Sequence, residues 1–388
     1  MSALLFERTL AFDLPASQSA FVWGPRKCGK TTYLRRRYPQ GIYYDFLKTD
    51  LRLEMLKNPS RLRQELELLD AERFRHNPVI LDEVQYVPQL LDEVQWLIDN
   101  RQISFVLCGS SARKLRRGHA NMLGGRAWRF ELHPLCYREV SSMDLLKALN
   151  NGLLPAHYLT ENAQRFLKAY VVDYLKEEIF EEGLTRNIQA FSRFTDVLGF
   201  CSGEMVNYNT IARETGVDSK TIKGYFQIVL DTLLGTFLPP YSKRKKRAVI
   251  TSTPKFYLFD VGVAGYLAKR SVNALAGPEF GRAFEQYLYM ELLAYRSYQE
   301  LNVDFSYWRT SNGLEIDFVV DKPLVAIEAK GTATISNKET HGLRAFIEEH
   351  RPDKAIIVCN ESRPRRVGEI MIYPWRDFLD ALWSGRIF

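Results

Sequence analysis

The sequence predicts a mixed α/β protein with several domains. Its 388 residues exceed the ~100–200 of one typical domain, and a content of 46% hydrophobic and 26% charged residues is typical of a folded chain. Strand-like and helix-like segments alternate over residues 1–135, which favours a parallel sheet covered by helices. Strand signals nearly vanish over 136–235 and then return. A helical middle is therefore expected between two α/β parts.

Each element has a local signal. Apolar runs predict five strands in the first part, at residues 19–23, 41–46, 78–82, 103–110 and 128–132. Further on, apolar residues recur at helical spacing from position 166 to 179, and Gly183 is expected to end that helix. The basic, proline-containing stretch at 238–260 reads as two strands joined by a charged turn.

The apolar runs, the cysteines and the net charge indicate in which compartment the protein works and which partners it binds. No uncharged apolar run approaches the ~18–20 residues that a membrane span requires, and the chain reaches Glu7 and Arg8 before a secretory core could form. The five cysteines form no CxxC pair, so reduced thiols are expected. These observations predict a cytoplasmic protein with no membrane partner. The net charge of +7 favours a polyanionic partner only where the excess is clustered.

A glycine-rich loop directly follows the first predicted strand. Residues 24–31 read GPRKCGKT, which fits G-x-x-x-x-G-K-[ST], and a helix-compatible segment comes next. The backbone amides of such a loop wrap a phosphate chain, Lys30 reaches the β- and γ-phosphates, and Thr31 ligates Mg²⁺. The loop predicts an ATP site with Mg²⁺ as cofactor. The expected nucleotide-binding residues are Gly24, Pro25, Arg26, Lys27, Cys28, Gly29, Lys30, Thr31 and Thr32.

Polar residues also end the third and fourth predicted strands. Asp82 is expected to hold the metal and Glu83 to polarise the attacking water, which favours hydrolysis over binding alone; a solvated acidic turn is the alternative. After the fourth strand, Ser110 or Ser111 could hydrogen-bond the γ-phosphate or the attacking water. We favour Ser110, and a plain strand-end cap is the alternative.

A helix-turn-helix pattern spans residues 206–230. A turn at Gly216 and a capping Asp218 or Ser219 separate two helices. In the second helix Lys220 and Lys223 lie opposite the apolar face, where they could meet phosphates or bases. The inward-facing residues of that helix are expected to be Ile222, Tyr225, Phe226 and Val229.

The hairpin after this pattern resembles the wing of a winged helix and carries a run of cations. The run consists of Lys243, Arg244, Lys245, Lys246 and Arg247, and it is suited to contact with a phosphate backbone. We therefore expect DNA as a partner. Docking of a protein, or simple solvation of the charges, is the alternative.

Two strands near the C-terminus carry carboxylates and a lysine. Asp317 lies in the strand at 314–320, and alternation puts Glu328 and Lys330 on one face of the next strand. The turn between the strands sets Asp317 opposite Glu328, and Glu285 on an upstream amphipathic helix is available as a further metal ligand. Such a group can hold Mg²⁺ and orient water for phosphodiester attack. The arrangement resembles the PD-(D/E)XK restriction-endonuclease-like fold; a salt-bridged sheet face is the alternative.

Taken in order, these motifs resemble a family of prokaryotic AAA-type ATPases that carry a C-terminal domain of unknown function. The resemblance covers nearly the whole chain, from FVWGPRKCGKTT, VILDEVQ and CGSS to PKFYLFDVGVAGYL, LEIDFVV and AIEAKGT. It implies an ATP-driven machine or switch that acts on branched or unusual DNA. Many members have an arginine where this chain has Glu177, so a role of that arginine in nucleotide sensing does not carry over.

The resemblance also bears on assembly. AAA-type modules place an arginine just before the fifth strand, where it reaches the nucleotide of a neighbouring subunit, and Arg126 stands at that place after two glycines. This implies a homo-oligomer, with a hexamer as one candidate. The alternative is that Arg126 belongs to a basic stretch, whose other members are Arg113, Lys114, Arg116, Arg117 and Arg129.

The sequence thus predicts four parts with one principal function. They are a P-loop NTPase core of the AAA type at 1–135, a helical lid or linker at 136–190, a winged helix at 191–270 and a nuclease-like α/β domain at 271–388. The first hypothesis is an oligomeric ATPase that binds DNA and remodels or processes it. The alternatives are a nucleotide-dependent signalling switch that binds proteins through its C-terminal half and an ATP-gated DNA nuclease.

Overall fold

The computed structural model describes residues 6–74, 76–111, 123–175, 188–241, 243 and 252–388. The chain divides into two compact units. The first unit comprises residues 1–135 and 231–233, and the second comprises residues 136–230 and 234–388.

The first unit is built on a five-stranded parallel sheet with the order β2-β3-β4-β1-β5. All five strands predicted from the sequence form. They are β1 Ser19–Trp23, β2 Ile42–Asp45, β3 Val79–Asp82, β4 Phe105–Gly109 and β5 Ala127–Glu131. The helices of this unit are α1 Lys30–Arg37, α2 Thr49–Lys57, α3 Ser60–Glu67 and α4 Leu90–Arg101.

The burial of the strands explains why the sequence predicts them clearly. Every residue of β1, β3 and β4 is buried, because helices cover a parallel sheet on both faces and its inner strands are continuous apolar runs. The carboxyl ends of these three neighbouring strands lie at one edge of the sheet. Gly24, Asp82 with Glu83, and Ser110 stand at those ends, so the topology brings the predicted nucleotide-site residues together.

The second unit begins with a helical part. Its helices are α5 Leu145–Asn151, α6 Pro155–Leu159, α7 Ala163–Ala169 and α8 Ile188–Cys201. The continuous helix predicted from position 166 onward instead changes to a π-helical turn at Tyr170–Leu175. At the start of this turn the buried Tyr170 ring packs against the rings of His157 and Phe259. The predicted end of the helix at Gly183 lies outside the described residues.

Two helices and a small sheet follow. Helix α9 spans Tyr208–Thr215, ends at Gly216 in the left-handed region (φ 72°), and is followed by α10 at Ser219–Asp231. Asp218, rather than Ser219, caps α10, because its Oδ1 accepts from the backbone N–H groups of Lys220 and Thr221, both at 2.9 Å. A three-stranded antiparallel sheet has the order β6-β8-β7, from β6 Glu204–Met205, β7 Gly235–Leu238 and β8 Lys255–Leu258.

The C-terminal part is a six-stranded mixed sheet with the order β13-β14-β12-β11-β10-β9. Its strands are β9 Phe305–Arg309, β10 Glu315–Asp321, β11 Leu324–Ala329, β12 Lys354–Cys359, β13 Arg365–Val367 and β14 Ile370–Pro374. The helices of this region are α11 Val261–Leu267, α12 Pro278–Tyr298, α13 His341–His350 and α14 Trp375–Trp383. The winged-helix and nuclease-like assignments of this unit stay predictions.

Candidate nucleotide site and acidic cluster

The loop between β1 and α1 has a backbone that few other sequences could adopt. Gly29 lies at φ 98°, where glycine carries no steric penalty, and a Cβ at Gly24 would overlap the carbonyl oxygen of Leu132. The buried Lys30 donates through Nζ to the carbonyl oxygens of Gly24, at 2.8 Å, and Pro25, at 3.1 Å. The loop therefore curls around the ammonium group at the N-terminus of α1, which is the arrangement that cradles phosphates.

A carboxylate and a hydroxyl meet beside this loop. Thr31 Oγ1 donates to Asp82 Oδ2 at 2.6 Å, and Cys108 Sγ donates to Asp82 Oδ1 at 2.8 Å. Burial, together with the charge of Asp82, raises the pKa of the Cys108 thiol well above its ordinary value, so the thiol keeps its proton and donates. These two contacts fix the orientation of the carboxylate that the sequence assigns to the metal.

This pair of residues fits Mg²⁺. In nucleotide sites Mg²⁺ takes one or two protein oxygen ligands, with substrate phosphates and waters supplying the remainder. Thr31 and Asp82 offer one hydroxyl and one carboxylate oxygen at a mutual distance of 2.6 Å, at the end of the loop where phosphates are expected.

Glu83 occupies an unusual backbone position next to Asp82. It lies in the left-handed region at φ 56° and is 7% exposed. Gln85 donates through Nε2 to Glu83 Oε2 and also, at 3.2 Å, to Ser110 Oγ. The structure therefore brings Glu83 and the favoured Ser110 together through one amide group, and Ser111 beside them is also fully buried.

Arg126 lies at the surface of the first unit. Its Nε is 2.6 Å from Asp99 Oδ1, and its side chain is 35% exposed. Its role toward a neighbouring subunit stays a prediction. The other basic residues at 113, 114, 116 and 117 lie outside the described residues, as does Glu177.

The second unit gathers the four nuclease-like residues. The antiparallel pairing of β10 with β11 runs from Phe318 opposite Ile327 to Asp321 opposite Leu324, and Asp317 Oδ2 accepts from the Ala329 N–H at 2.8 Å. Lys330 Nζ lies 2.5 Å from Glu328 Oε1, whereas Glu328 Oε2 has no hydrogen-bond partner among the described residues. Glu285 reaches the same region from α12 through a shared neighbour, Lys255.

The sequence analysis did not identify three further residues that lie beside these four, namely Lys255, Tyr257 and Glu315. Lys255 Nζ lies 3.1 Å from Glu285 Oε1, 2.5 Å from Glu315 Oε1 and 3.8 Å from Asp317 Oδ1. Tyr257 donates its hydroxyl to Glu285 Oε1 at 2.6 Å. We call the group formed by Lys255, Tyr257, Glu285, Glu315, Asp317, Glu328 and Lys330 the acidic cluster.

Burial and repulsion govern the protonation of the two central carboxyls. Burial raises the pKa of Asp317, Glu285 adds to the rise, and Lys255 and Lys330 oppose it. Burial likewise raises the pKa of Glu328, Asp317 adds to the rise, and Lys330 opposes it. Within the described residues, no group of three or more His, Cys, Asp or Glu side chains is arranged to hold a metal ion. Metal binding by Glu285, Asp317 and Glu328 therefore stays a prediction.

Cations that could meet a polyanion lie on the helix-turn-helix region. Lys220 and Lys223 are exposed on α10, and the predicted inward-facing residues Ile222, Tyr225, Phe226 and Val229 are all buried. Lys223 Nζ also lies 5.4 Å from the centre of the Tyr208 ring. Lys243 is exposed, and the remaining wing cations Arg244, Lys245, Lys246 and Arg247 lie outside the described residues.

The residues missed by the sequence analysis had weak signals. Cys108 is paired in register with Asp82 on the neighbouring strand, a relation that could have been read by aligning the two predicted strand ends. Gln85 and Lys255 carry no motif. A lysine directly before the apolar run at 256–259 was one hint of a buried charge.

Comparison with known protein families gives three matches along the chain. Residues 16–141 match the AAA domain family. Residues 143–274 match a domain of unknown function, DUF8612, and residues 280–378 match another, DUF4143. The AAA match covers the five-stranded sheet, the glycine-rich loop and Asp82 with Glu83.

Relatives align over most of the chain. Two uncharacterized proteins of Methanocaldococcus jannaschii, MJ1544 and MJ1637, are 23% and 22% identical to it; each alignment covers 92% of this chain, and 86% and 84% of the respective relative. A solved structure of the Aeropyrum pernix ORC1 protein in complex with DNA shares 13% identity, covers 65% of this chain and 86% of its own, and has a TM-score of 0.25. A likeness of that size carries no conclusion about fold or partner.

The fold, the loop geometry and the family match together define the first unit. It is a P-loop ATPase domain of the AAA type, and nucleotide binding by the residues of its loop stays a prediction. In the part of the chain that the structure describes, no helix is both long and apolar enough to cross a membrane.

Proposed function

We propose that this chain is an ATP-hydrolysing AAA-type ATPase that works as a homo-oligomer. It binds DNA through the helix-turn-helix region of its second unit and remodels or processes that DNA. The observation that carries the ATPase part of the proposal is the contact of Thr31 with Asp82, and the link of Glu83 to Ser110 through Gln85, at the ends of β3 and β4. Hydrolysis needs each of these groups in a fixed place.

The residues of the loop have separable roles in this mechanism. Lys30 exchanges its two carbonyl partners for oxygens of the β- and γ-phosphates, and the loop amides hold the phosphate chain. Thr31 and Asp82 would hold Mg²⁺, which when bound would neutralise charge on the phosphates. Glu83 accepts a proton from the attacking water, and Ser110 hydrogen-bonds the water or the γ-phosphate.

Gln85 positions Glu83 in this scheme. Its amide group touches both Glu83 and Ser110, so it can align the base with the serine. Its Oε1 atom, buried next to Gly109, has no hydrogen-bond partner among the described residues. The two hydrogen bonds from Nε2 therefore orient this amide.

Exposed cations support the DNA part of the proposal. Lys220 and Lys223 share the outer face of α10 and could pair with phosphates, while Lys243 begins the basic run in the sequence. A polar cleft lies beside them, lined by Asn207, Tyr208, Asn209, Ser219 and Lys223. Arg126 supports assembly, since its partly exposed guanidinium could enter the nucleotide site of a neighbouring subunit.

A salt titration of DNA binding tests the proposal. We compare the full chain, the Lys220→Ala/Lys223→Ala variant and a Lys338→Ala control, which removes an exposed lysine elsewhere in the second unit. Anisotropy of labelled linear and branched duplexes gives affinity from 50 to 200 mM salt. Loss of two phosphate contacts should make the slope of log affinity against log salt shallower by about 2. An unchanged slope would assign the two lysines to solvation or protein contact, and no binding at 50 mM salt would favour the signalling switch.

A further inference from the structure

Lys255 is a buried lysine at the centre of several carboxylates. It is the first residue of β8, is 4% exposed, and pairs with carboxylates from two other elements, α12 and β10. Its Nζ also lies 5.6 Å from the centre of the Tyr307 ring. A lysine is rarely buried unless its charge is compensated. Three carboxylates around one ammonium group provide that compensation.

The residues present do not fit the Mg²⁺ that the nuclease-like resemblance implies. Mg²⁺ would have to lie about 2 Å from carboxylate oxygens of Glu285 and Asp317. The ammonium group of Lys255 is already 3.1 Å from one of these carboxylates and 3.8 Å from the other. A divalent ion at the same oxygens would be within a few ångströms of a second cation, and the two would repel each other strongly in a buried site. Lys330, 2.5 Å from Glu328 Oε1, adds a further positive charge on the other side.

We propose that Lys255 is the resident cation of the acidic cluster: its ammonium group takes the place of a divalent metal and joins the three-stranded sheet to α12 and the C-terminal sheet. This inference concerns a site that the ATPase function does not use. It assigns the cluster to holding parts of the second unit together, and it makes metal-dependent cleavage incompatible with Lys255 in its observed place.

Neighbouring contacts hold Lys255 in that place. Tyr307 donates its hydroxyl to the Thr253 carbonyl oxygen, two residues before Lys255, and exchanges backbone hydrogen bonds with Pro239 and Tyr241. Tyr257, two residues after it, donates to Glu285. The segment that carries the ammonium group is therefore joined to β9 before Lys255 and to α12 after it.

The proposal predicts that a metal site appears only when the lysine is removed. We use Mn²⁺ as the probe, without nucleotide, on the full chain carrying Asp82→Asn so that the nucleotide site contributes little metal binding. Free Mn²⁺ is counted by electron paramagnetic resonance. Lys255→Ala should bind one additional Mn²⁺ per chain, with an affinity at least about tenfold higher than that of the Asp82→Asn chain that keeps Lys255. Lys255→Arg, which keeps the charge, should gain none, and Lys255→Ala/Asp317→Asn should lose the gained site.

Two results would overturn the proposal. One is Mn²⁺ binding by the Asp82→Asn chain with Lys255 intact, when that binding disappears on Asp317→Asn. The other is a folded Lys255→Ala variant without added Mn²⁺ affinity. If Lys255→Ala is unstable, its thermal midpoint is measured with and without Mn²⁺: a ligand that binds only the folded state raises the midpoint by mass action. A rise in the variant alone supports the proposal, and no rise contradicts it.

Discussion

Glu83 combines a strained backbone with the chemical role that we propose for it. A glutamate at φ 56° adopts the left-handed region at a cost of about 1 kcal/mol or more. That conformation turns its carboxylate toward Gln85 and Ser110 at the edge of the sheet. The residue is also nearly buried, and such strain persists where the surrounding structure fixes the backbone.

Glu83→Gln should retain ATP binding and slow turnover by at least about 100-fold. The amide has the same shape but cannot accept the proton of the attacking water, and general bases contribute about 10²–10⁴-fold. Steady-state ATPase assays and equilibrium binding of a labelled nucleotide check the two halves of this expectation. Glu72→Gln, an exposed position in the same unit, is the control. Undiminished turnover in Glu83→Gln would remove Glu83 from the mechanism.

Glu291 on α12 is a second buried carboxyl with a different role. It is 1% exposed, and its two oxygens accept from the Tyr137 N–H at 2.7 Å and from Trp383 Nε1 at 2.9 Å. Burial raises its pKa to about 8, although these donors oppose the rise. The side chain is therefore mostly protonated at neutral pH, and it connects α12 to α14 as an uncharged group.

The pH dependence of unfolding tests this assignment. Because the folded-state pKa lies above the unfolded value of about 4.3, the folded chain keeps a proton that the unfolded chain has lost. Stability is greatest below the unfolded pKa and falls as pH rises through about 8. The contribution of Glu291 should fall by roughly 2 kcal/mol between pH 6 and 8. Glu291→Gln should be less stable at pH 6, since its amide nitrogen cannot accept from Trp383, but its denaturation midpoint should change less with pH. If the denaturation midpoint changed equally with pH in the wild-type chain and in Glu291→Gln, the prediction would be contradicted.

At the scale of elements, Asp260 connects helix α11 to the turn between α5 and α6. Its Oδ1 accepts from the Val263 N–H at 2.9 Å and caps α11, and its Oδ2 accepts from the Leu153 N–H, between α5 and α6, at 2.7 Å. The side chain is fully buried. Gly152 approaches so closely that a Cβ there would overlap the Asp260 carboxylate. One aspartate therefore fixes the distance between two segments over a hundred residues apart.

Asp260→Ala should lower the free energy of unfolding by about 3 kcal/mol. Loss of a cap costs ~1 kcal/mol, and each buried N–H left without a partner adds about 1–3 kcal/mol. Asp144→Ala is a matched control, because Asp144 caps α5 by the same kind of bond from an exposed position and should cost about 1 kcal/mol. Chemical denaturation of the full chains measures both. Equal losses would show that the second contact, to Leu153, contributes nothing.

Strand elements were predictable from the sequence, and the acidic cluster was only partly so. Buried parallel strands have continuous apolar sequences. The predicted ends of β1 therefore equal the observed ones, and the predicted ends of the other four strands of the first unit lie within two residues of the observed ends. Asp317 and Glu328 lie on adjacent strands joined by a short turn, and Lys330 directly follows the second strand. Alternation along a strand sufficed to predict that the three lie together. Lys255 could not be found in this way, because Glu285 and Glu315 are 30 and 60 positions away and belong to elements with no repeated relation to β8. Long-range ion pairs have no period in the sequence.

At the scale of the whole molecule, the ion pair of Arg126 with Asp99 bears on the predicted assembly. The two side chains are 35% and 41% exposed, so the pair contributes little to stability and can open at small cost. An arginine held this way is available for a stronger partner, such as the phosphates of a nucleotide bound by a neighbouring subunit. Asp99→Asn should release Arg126 without removing it. In an assembled chain this variant is expected to keep its ATPase activity.

The predicted assembly also implies that two inactive variants restore ATPase turnover when they are mixed. If Arg126 acts on a neighbouring subunit, Arg126→Ala should bind ATP normally and lose about a thousandfold in turnover, the lower part of what such arginines contribute. Lys30→Ala should lose its own nucleotide site while keeping an intact Arg126. In mixed oligomers the nucleotide site of the first variant can face the arginine of the second, so turnover should reappear and reach a maximum at intermediate ratios. Turnover per wild-type subunit should also rise with protein concentration. Failure of every ratio to recover activity, with mixed oligomers present by mass photometry, would assign Arg126 to the chain's own surface charge.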